Sequence, residues 1–335
     1  MKPTTSPFYR QAVNPDPYVY ALWFSPATLG QYGKKTKPHQ IALIRTLLEN
    51  QKTFGTIRAA AHYQYGINYL FQNQFDSARM QYAQIGGIQN WQYAGPFENL
   101  SQSGIFKTHG PLENPDGKAV FSSVTLAKVK WFSPSNENPD GWIPFSNQIH
   151  HKTAVAYAQT FVTSSTDQVV LFNVGVTGAI RVWLNDAMVL SETTERITEL
   201  DTYTVKCKLQ KGVNRILVQM SYTQNFYPNF GLRITDLVYE PVAGIKGSNV
   251  LKPYTKTPQS PVQIKHFAED FFQKKIEAEP RNPLNYLLLA DVYLRNKKTT
   301  EARSLLESAL EISKDNNLLR SKLIEVLKKE DNQTA

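Results

Sequence analysis

The hydrophobic period of this chain changes twice along its length, and that change constrains the fold more than any other feature. From Gln40 to Gln51 apolar residues recur at helical spacing (Ile41, Ile44, Leu47, Leu48). Between about Trp91 and Glu240 the period falls to two. Tyr203, Val205, Cys207 and Leu209 alternate with Thr204, Lys206, Lys208 and Gln210, the pattern of a half-buried strand. Beyond about residue 261 the helical spacing returns. The pattern predicts an α+β chain of several domains: helices over 1–88, a β domain over 89–245, a linker over 246–260 and helices again over 261–335.

Within the β zone, Val155 to Val162 and Val169 to Val176 are apolar on both faces and should be central strands. Val213 to Tyr222 and Phe230 to Thr235 alternate. Asn185-Asp186 and Lys211-Gly212 separate paired runs and read as hairpin turns, because Asn, Asp and Gly tolerate positive φ. Many short strands with turn signals and no helices between them predict an antiparallel β-sandwich.

The helical zones carry small residues where two helices must approach closely. Gly66 and Ala78 lie 12 apart in the first zone, as do Ala290 and Ala302 in the last. Counting back 34 residues from Ala302 reaches Ala268, with Phe272 following and Pro280 ending that helix. This spacing resembles the tetratricopeptide repeat. One or two such repeats are too few to stand alone, so both flanks are expected to dock on the β centre and share its core. Trp91, Gly95, Pro96 and Phe97 fit the same packing role at the junction.

Ala156 to Phe161, Val169 to Phe172, Ile180-Arg-Val-Trp-Leu-Asn-Asp186 and Lys211 to Val218 succeed one another as in the galactose-binding-like jelly roll, which the stretch resembles. In that family the hairpin reads W-x-N-G. Asp186 stands here where Gly is usual. A wider resemblance rests on Trp91-Gln-Tyr-Ala-Gly-Pro-Phe-Glu-Asn99, Gly110-Pro-Leu-Glu113 and Phe230-Gly-Leu-Arg-Ile-Thr-Asp236. These motifs are similar to the front half of large bacterial proteins that join helical repeats, this jelly roll, more tetratricopeptide-like helices and a transglutaminase-like domain. The resemblance implies export to the cell envelope, in the periplasm or on the outer surface. It transfers no catalytic residue, because the Cys/His/Asp set of the transglutaminase-like half has no counterpart here.

The formal net charge of +9 is scattered, with short clusters only at Lys34-Lys35 and Lys297-Lys298, so nucleic acid is not the expected partner. No stretch approaches the ~20 apolar residues of a membrane span. Met-Lys-Pro-Thr-Thr-Ser-Pro-Phe at the start has no apolar run and does not read as a signal peptide. A mature exported chain can also start this way.

No GxxxxGK[ST], GxSxG or HExxH motif is present, and no enzyme is expected. Cys207, the single cysteine, falls on the buried face of its strand and reads as a core thiol. His150-His151 point to opposite faces if extended and read as solvated loop residues. No cofactor is expected. A structural calcium ion held by loop carbonyls with Asp116, Asp140 or Asp201 would suit a jelly roll, although Asp-Gly at the first two positions is also a turn signal.

Two readings of function remain. The first is a non-catalytic scaffold that binds a protein partner through its helices or positions a missing catalytic domain. The second is a carbohydrate-binding module. Sugar sites set an aromatic ring beside amides, and the loop Asn225-Phe226-Tyr227-Pro-Asn229 offers both, with Trp142 on a second aromatic loop. The alternative for these rings is packing, either against the helices or as a plug at one end of the sandwich.

Overall fold

The computed structural model describes residues 14–23, 38–123, 126–134, 138–224 and 227–334. The chain folds as two units, Met1–Gln81 with Lys265–Ala335, and Tyr82–Ile264. The second unit is inserted, in sequence, into the first.

The first unit is helical. Its helices are α1 (Asp16–Ala21), α2 (Pro38–Glu49), α3 (Gly55–Phe71), α4 (Phe75–Ala83), α5 (Phe267–Ala278), α6 (Pro283–Arg295), α7 (Thr299–Ile312) and α8 (Asn317–Thr334). Local sequence sets several ends. Asn282 caps α6 by accepting the Leu284 amide at 3.1 Å, and Pro283 occupies the first helical position, where no amide is needed. Asp16 of α1 accepts the amide of Phe54, the residue that caps α3, at 2.7 Å. Ala290 and Ala302 are both fully buried, in one cluster with Leu306, Ala309, Leu319 and Val326, so the small residues do lie where helices meet.

The two terminal zones, expected as separate domains docked on a β centre, are halves of one helical unit. Val19, Tyr20 and Trp23 of the first segment, with Ile44, Leu47 and Ile57, share a core with Ala268, Phe272, Leu288, Leu289 and Val292. Each of these side chains contributes roughly 1.5–3 kcal/mol on burial if Val- to Phe-sized. Within this core α1 packs directly on α5 and α6, more than two hundred residues away in sequence, while α2 and α3 pack on each other.

The second unit is built on a ten-stranded antiparallel sheet with a separate two-stranded one, among the described residues. Its strands are β1 (Gln92–Phe97), β2 (Val120–Ser122), β3 (Lys128–Lys130), β4 (Trp142–Pro144), β5 (Ala154–Ser164), β6 (Gln168–Leu184), β7 (Ala187–Ile197), β8 (Tyr203–Leu209), β9 (Gly212–Tyr222), β10 (Asn229–Thr235), β11 (Gly247–Ser248) and β12 (Val262–Ile264). The order runs β1-β5-β9-β6-β10-β4, with β7 and β8 also on β6, β12 on β8, β11 on β5, and β2 paired with β3.

The two predicted strands Val169–Val176 and Ile180–Leu184 form one strand, β6, that changes partners midway. Residues 168–177 pair with β8 and β10, and residues 179–184 with β9; β7 pairs with 177–184. Gly178 lies at the change, with φ +142, and a Cβ there would stand 2.9 Å from the Ser221 carbonyl oxygen. Only glycine fits that conformation and that space. Residues of both halves, Phe172 and Val174 with Val182 and Leu184, share one core with Ala156, Cys207, Val218 and Phe230.

The other face of β5, β9 and β6 is covered by residues 97–123 and 126–131, through Phe97, Phe121, Val129 and Trp131 over Tyr157, Trp183 and Leu217. Much of this cover is irregular, so its carbonyls need donors from the sheet. Arg181 donates to the Ile105 carbonyl at 2.8 Å, Gln219 to Lys107 at 3.1 Å, Arg215 to Pro111 at 2.7 Å and Gln159 to Pro115 at 2.9 Å.

Residues 246–260, expected as a linker, belong to this β unit. Tyr254 donates to Asp186 at 2.8 Å, the Thr257 amide to the Asn185 carbonyl at 3.3 Å, and Gln259 to the Lys208 carbonyl at 3.1 Å. The segment is therefore fastened along the sheet by its own polar side chains.

Candidate functional site

Of the five residues singled out as ligand contacts, Asn225 and Phe226 lie outside the described residues. The structure brings the other three to one edge of the sheet, where β4 pairs with β10. Trp142 stands opposite Gly231, and Asn229 opposite Pro144. Ile143 and Phe230 face the core, so Trp142 and Asn229 share the opposite face.

Trp142 is half-buried and lies over two glycines. A Cβ on Gly175 would approach its Cη2 to 2.7 Å, and one on Gly231 its Cε3 to 3.5 Å. Gly175 is itself opposite Gly231 on the neighbouring strand. Two adjacent positions without side chains thus make the trough in which the indole rests.

Tyr227 is 75% exposed. The loop that carries it is tied at both ends. Before it, the Thr223 amide and hydroxyl donate to Glu195 at 2.9 and 2.8 Å, and the Gln224 amide donates to Thr153 at 3.1 Å. After it, the Phe145 amide donates to the Pro228 carbonyl at 2.9 Å. Burial raises the Glu195 carboxyl, against the two Thr223 hydrogen bonds that favour its ionised form. Asn229 gives its amide donor to the Tyr227 carbonyl at 2.9 Å. Among the described residues the edge therefore presents the exposed Tyr227 ring, while Trp142 and the Asn229 amide serve the fold.

The remaining candidates are buried, exposed or already paired. Cys207 is buried in the main core, and burial pushes its thiol well above the ordinary range. His150 and His151 are exposed. Asp201, expected among possible cation ligands, is buried and ion-paired with Arg233, which also donates to the Ile85 and Tyr239 carbonyls. Asp116 and Asp140 accept the amides two residues on, from Lys118 and Trp142, each at 3.0 Å. Among the described residues no group of three His, Cys, Asp or Glu is placed to hold a metal ion. No helix of the described residues is long and apolar enough to cross a membrane.

One polar cluster was not singled out from sequence. Arg215, 1% exposed, donates to Asp186 at 2.9 Å and to Gln159 at 3.0 Å. Tyr254 and Lys256 reach the same Asp186 carboxylate, and burial pushes the Tyr254 phenol up to about 12. Asn185 and Asp186 both have positive φ, 51° and 68°, as a type I′ turn requires. The one clue in sequence was Asp at a turn position where Gly is usual. Its carboxylate pairs a buried arginine and fastens the 249–261 segment.

No family model matches the sequence, and none of the curated proteins does. Two solved structures of β-glucosidase from Kluyveromyces marxianus, one in complex with glucose and one selenomethionine-labelled, are similar over 30% and 29% of this chain. Each is 14% identical with a TM-score of 0.25. The chain spans 14% and 13% of their lengths, and a likeness of this size carries no argument about fold or activity.

Proposed function

We propose that this protein is a non-catalytic scaffold that binds partner proteins through its helical unit. The helices read as tetratricopeptide-like hairpins and the inserted β unit as a jelly-roll sandwich of the galactose-binding-like type. The resemblance of its motifs to large bacterial envelope proteins suggests the cell envelope as its location.

One observation carries the reading. The α3–α4 hairpin exposes Leu70, Phe71, Phe75 and Met80, at 39%, 56%, 58% and 62%, within eleven residues of sequence. Large apolar groups gathered on a surface mark interaction sites, because leaving them in water has no structural return. The β4–β10 edge offers less: its indole rests in a trough and its described amide is tied back.

The second reading, a carbohydrate-binding module, keeps the support of Tyr227, a 75% exposed ring on an anchored loop. The two are separated by placing a photo-crosslinking amino acid at Phe71, Phe75 or Tyr227 in the producing bacterium, and by calorimetry of the full chain against cell-wall polysaccharides. The scaffold reading expects discrete protein adducts at Phe71 and Phe75 and no polysaccharide heat. Saturable polysaccharide binding that Tyr227→Ala abolishes would overturn it in favour of the second.

A further inference from the structure

His266 is the residue that precedes α5, at its cap position, yet its side chain caps nothing. It is 5% exposed, and neither ring nitrogen has a hydrogen-bond partner among the described residues. A buried imidazole that makes no hydrogen bond is costly, roughly 1–3 kcal/mol per unsatisfied group. The ring lies between Tyr20 of α1, centroids 4.6 Å apart, and Phe267, 4.8 Å away. Cations surround it from the other elements: Arg295 at the end of α6 and Lys298 just before α7. Arg295 donates to the Tyr20 carbonyl at 2.8 Å, and Lys298 is ion-paired at 2.6 Å with Glu269, on the first turn of α5. Asp270, also on that turn, is paired with Lys274.

We propose that His266 is an acid-sensitive clasp: neutral, it holds α1 against α5 and α6; protonated, it releases α1. An imidazolium in this position would find no acceptor among the described residues, and Glu269 on the adjoining first turn is already committed to Lys298. Burial first, then Lys298 and Arg295, push the group down to about 3. Release of α1 would return it to its ordinary value near 6.5. The released state then takes up a proton that the packed state refuses. Packing is therefore unaffected above about pH 7 and weakens as pH falls from about 6.5 towards 3. Asp16, on α1 itself, works in the opposite sense, because burial raises its carboxyl and the packed state protonates more readily. Comparison with a His266 variant cancels that contribution.

Amide hydrogen exchange over residues 16–23 of the full chain, corrected for intrinsic rates, reads the opening of α1 between about pH 7 and about pH 5. Relative to His266→Phe, the opening constant of the unsubstituted protein is expected to rise about tenfold for each pH unit below about 6. An imidazole NMR titration of the unsubstituted protein needs no variant to fold, and is expected to show His266 neutral down to about pH 5 while α1 is packed. Equal pH dependence in both proteins would overturn the proposal. So would an imidazole that titrates near 6.5 with α1 still protected.

Discussion

Asn296 donates its side-chain amide to the Tyr20 hydroxyl at 3.0 Å across 276 residues of sequence. The same tyrosine lies under the Arg295 guanidinium, 4.0 Å from its ring centroid, and gives its carbonyl to that group. Tyr18 meets Phe271 and Phe272 edge-on at 5.5 and 5.3 Å. A six-residue helix has no stability alone. α1 is held by ring contacts and hydrogen bonds from the C-terminal helices, together with the Phe54 amide on Asp16, so the N- and C-terminal segments fold as one helical unit.

Asp186→Gly restores the residue usual in the resembling hairpins and should still destabilise the β unit. The turn gains a residue at ease with φ 68°, but the 1% exposed Arg215 loses its carboxylate and Tyr254 loses its acceptor. Leaving a buried charge unpaired costs more than turn strain, and the expected loss is about 2–4 kcal/mol by urea unfolding. A neutral or stabilising result would show that the cluster contributes nothing.

Gly178→Ala should cost at least about 2 kcal/mol, from a strained φ and from the Ser221 carbonyl oxygen 2.9 Å from the new Cβ. Gly212→Ala is the matched control: its φ is +97, but nothing lies within 4 Å of a Cβ there. The difference between the two losses measures how far the partner change in β6 depends on close approach at Gly178.

Cys207 should be inert in the native protein. Burial disfavours its thiolate, and the sulfur lies in the main core with Val205 and Leu209. A chromogenic disulfide reagent is expected to label it only at the rate of unfolding. Rapid labelling under native conditions would place it in an accessible site.

The strands were legible because alternation marks extended runs: Tyr203 to Leu209 and Phe230 to Thr235 are both strands, although Thr204, Arg233 and Thr235, at polar positions of the alternation, are buried. The same rule misread the polar positions of β9. Arg215 and Gln219 look solvent-facing by alternation, yet both are 1% exposed, because residues 97–123 and 126–131 cover that face and need donors for their carbonyls. Nothing local in the sequence announces such a cover. Helical spacing likewise located α6 and α7 through Ala290 and Ala302, but a period cannot say which helices meet. The pairing of Val19 and Trp23 with Leu289 is a long-range choice that only the folded chain displays. At the candidate edge, the sequence found a ring that is open at Tyr227, and could not show that Gly175 and Gly231 would cradle Trp142.

The union of the two chain ends is tested most directly by a double-mutant cycle on Tyr20→Phe and Asn296→Ala, read by urea unfolding of the full chain. Asn296 is fully buried and the pair are mutual hydrogen-bond partners, so a coupling of about 1 kcal/mol is expected. Additive losses, with no coupling between the two sites, would contradict the account that α1 and the C-terminal helices form one body.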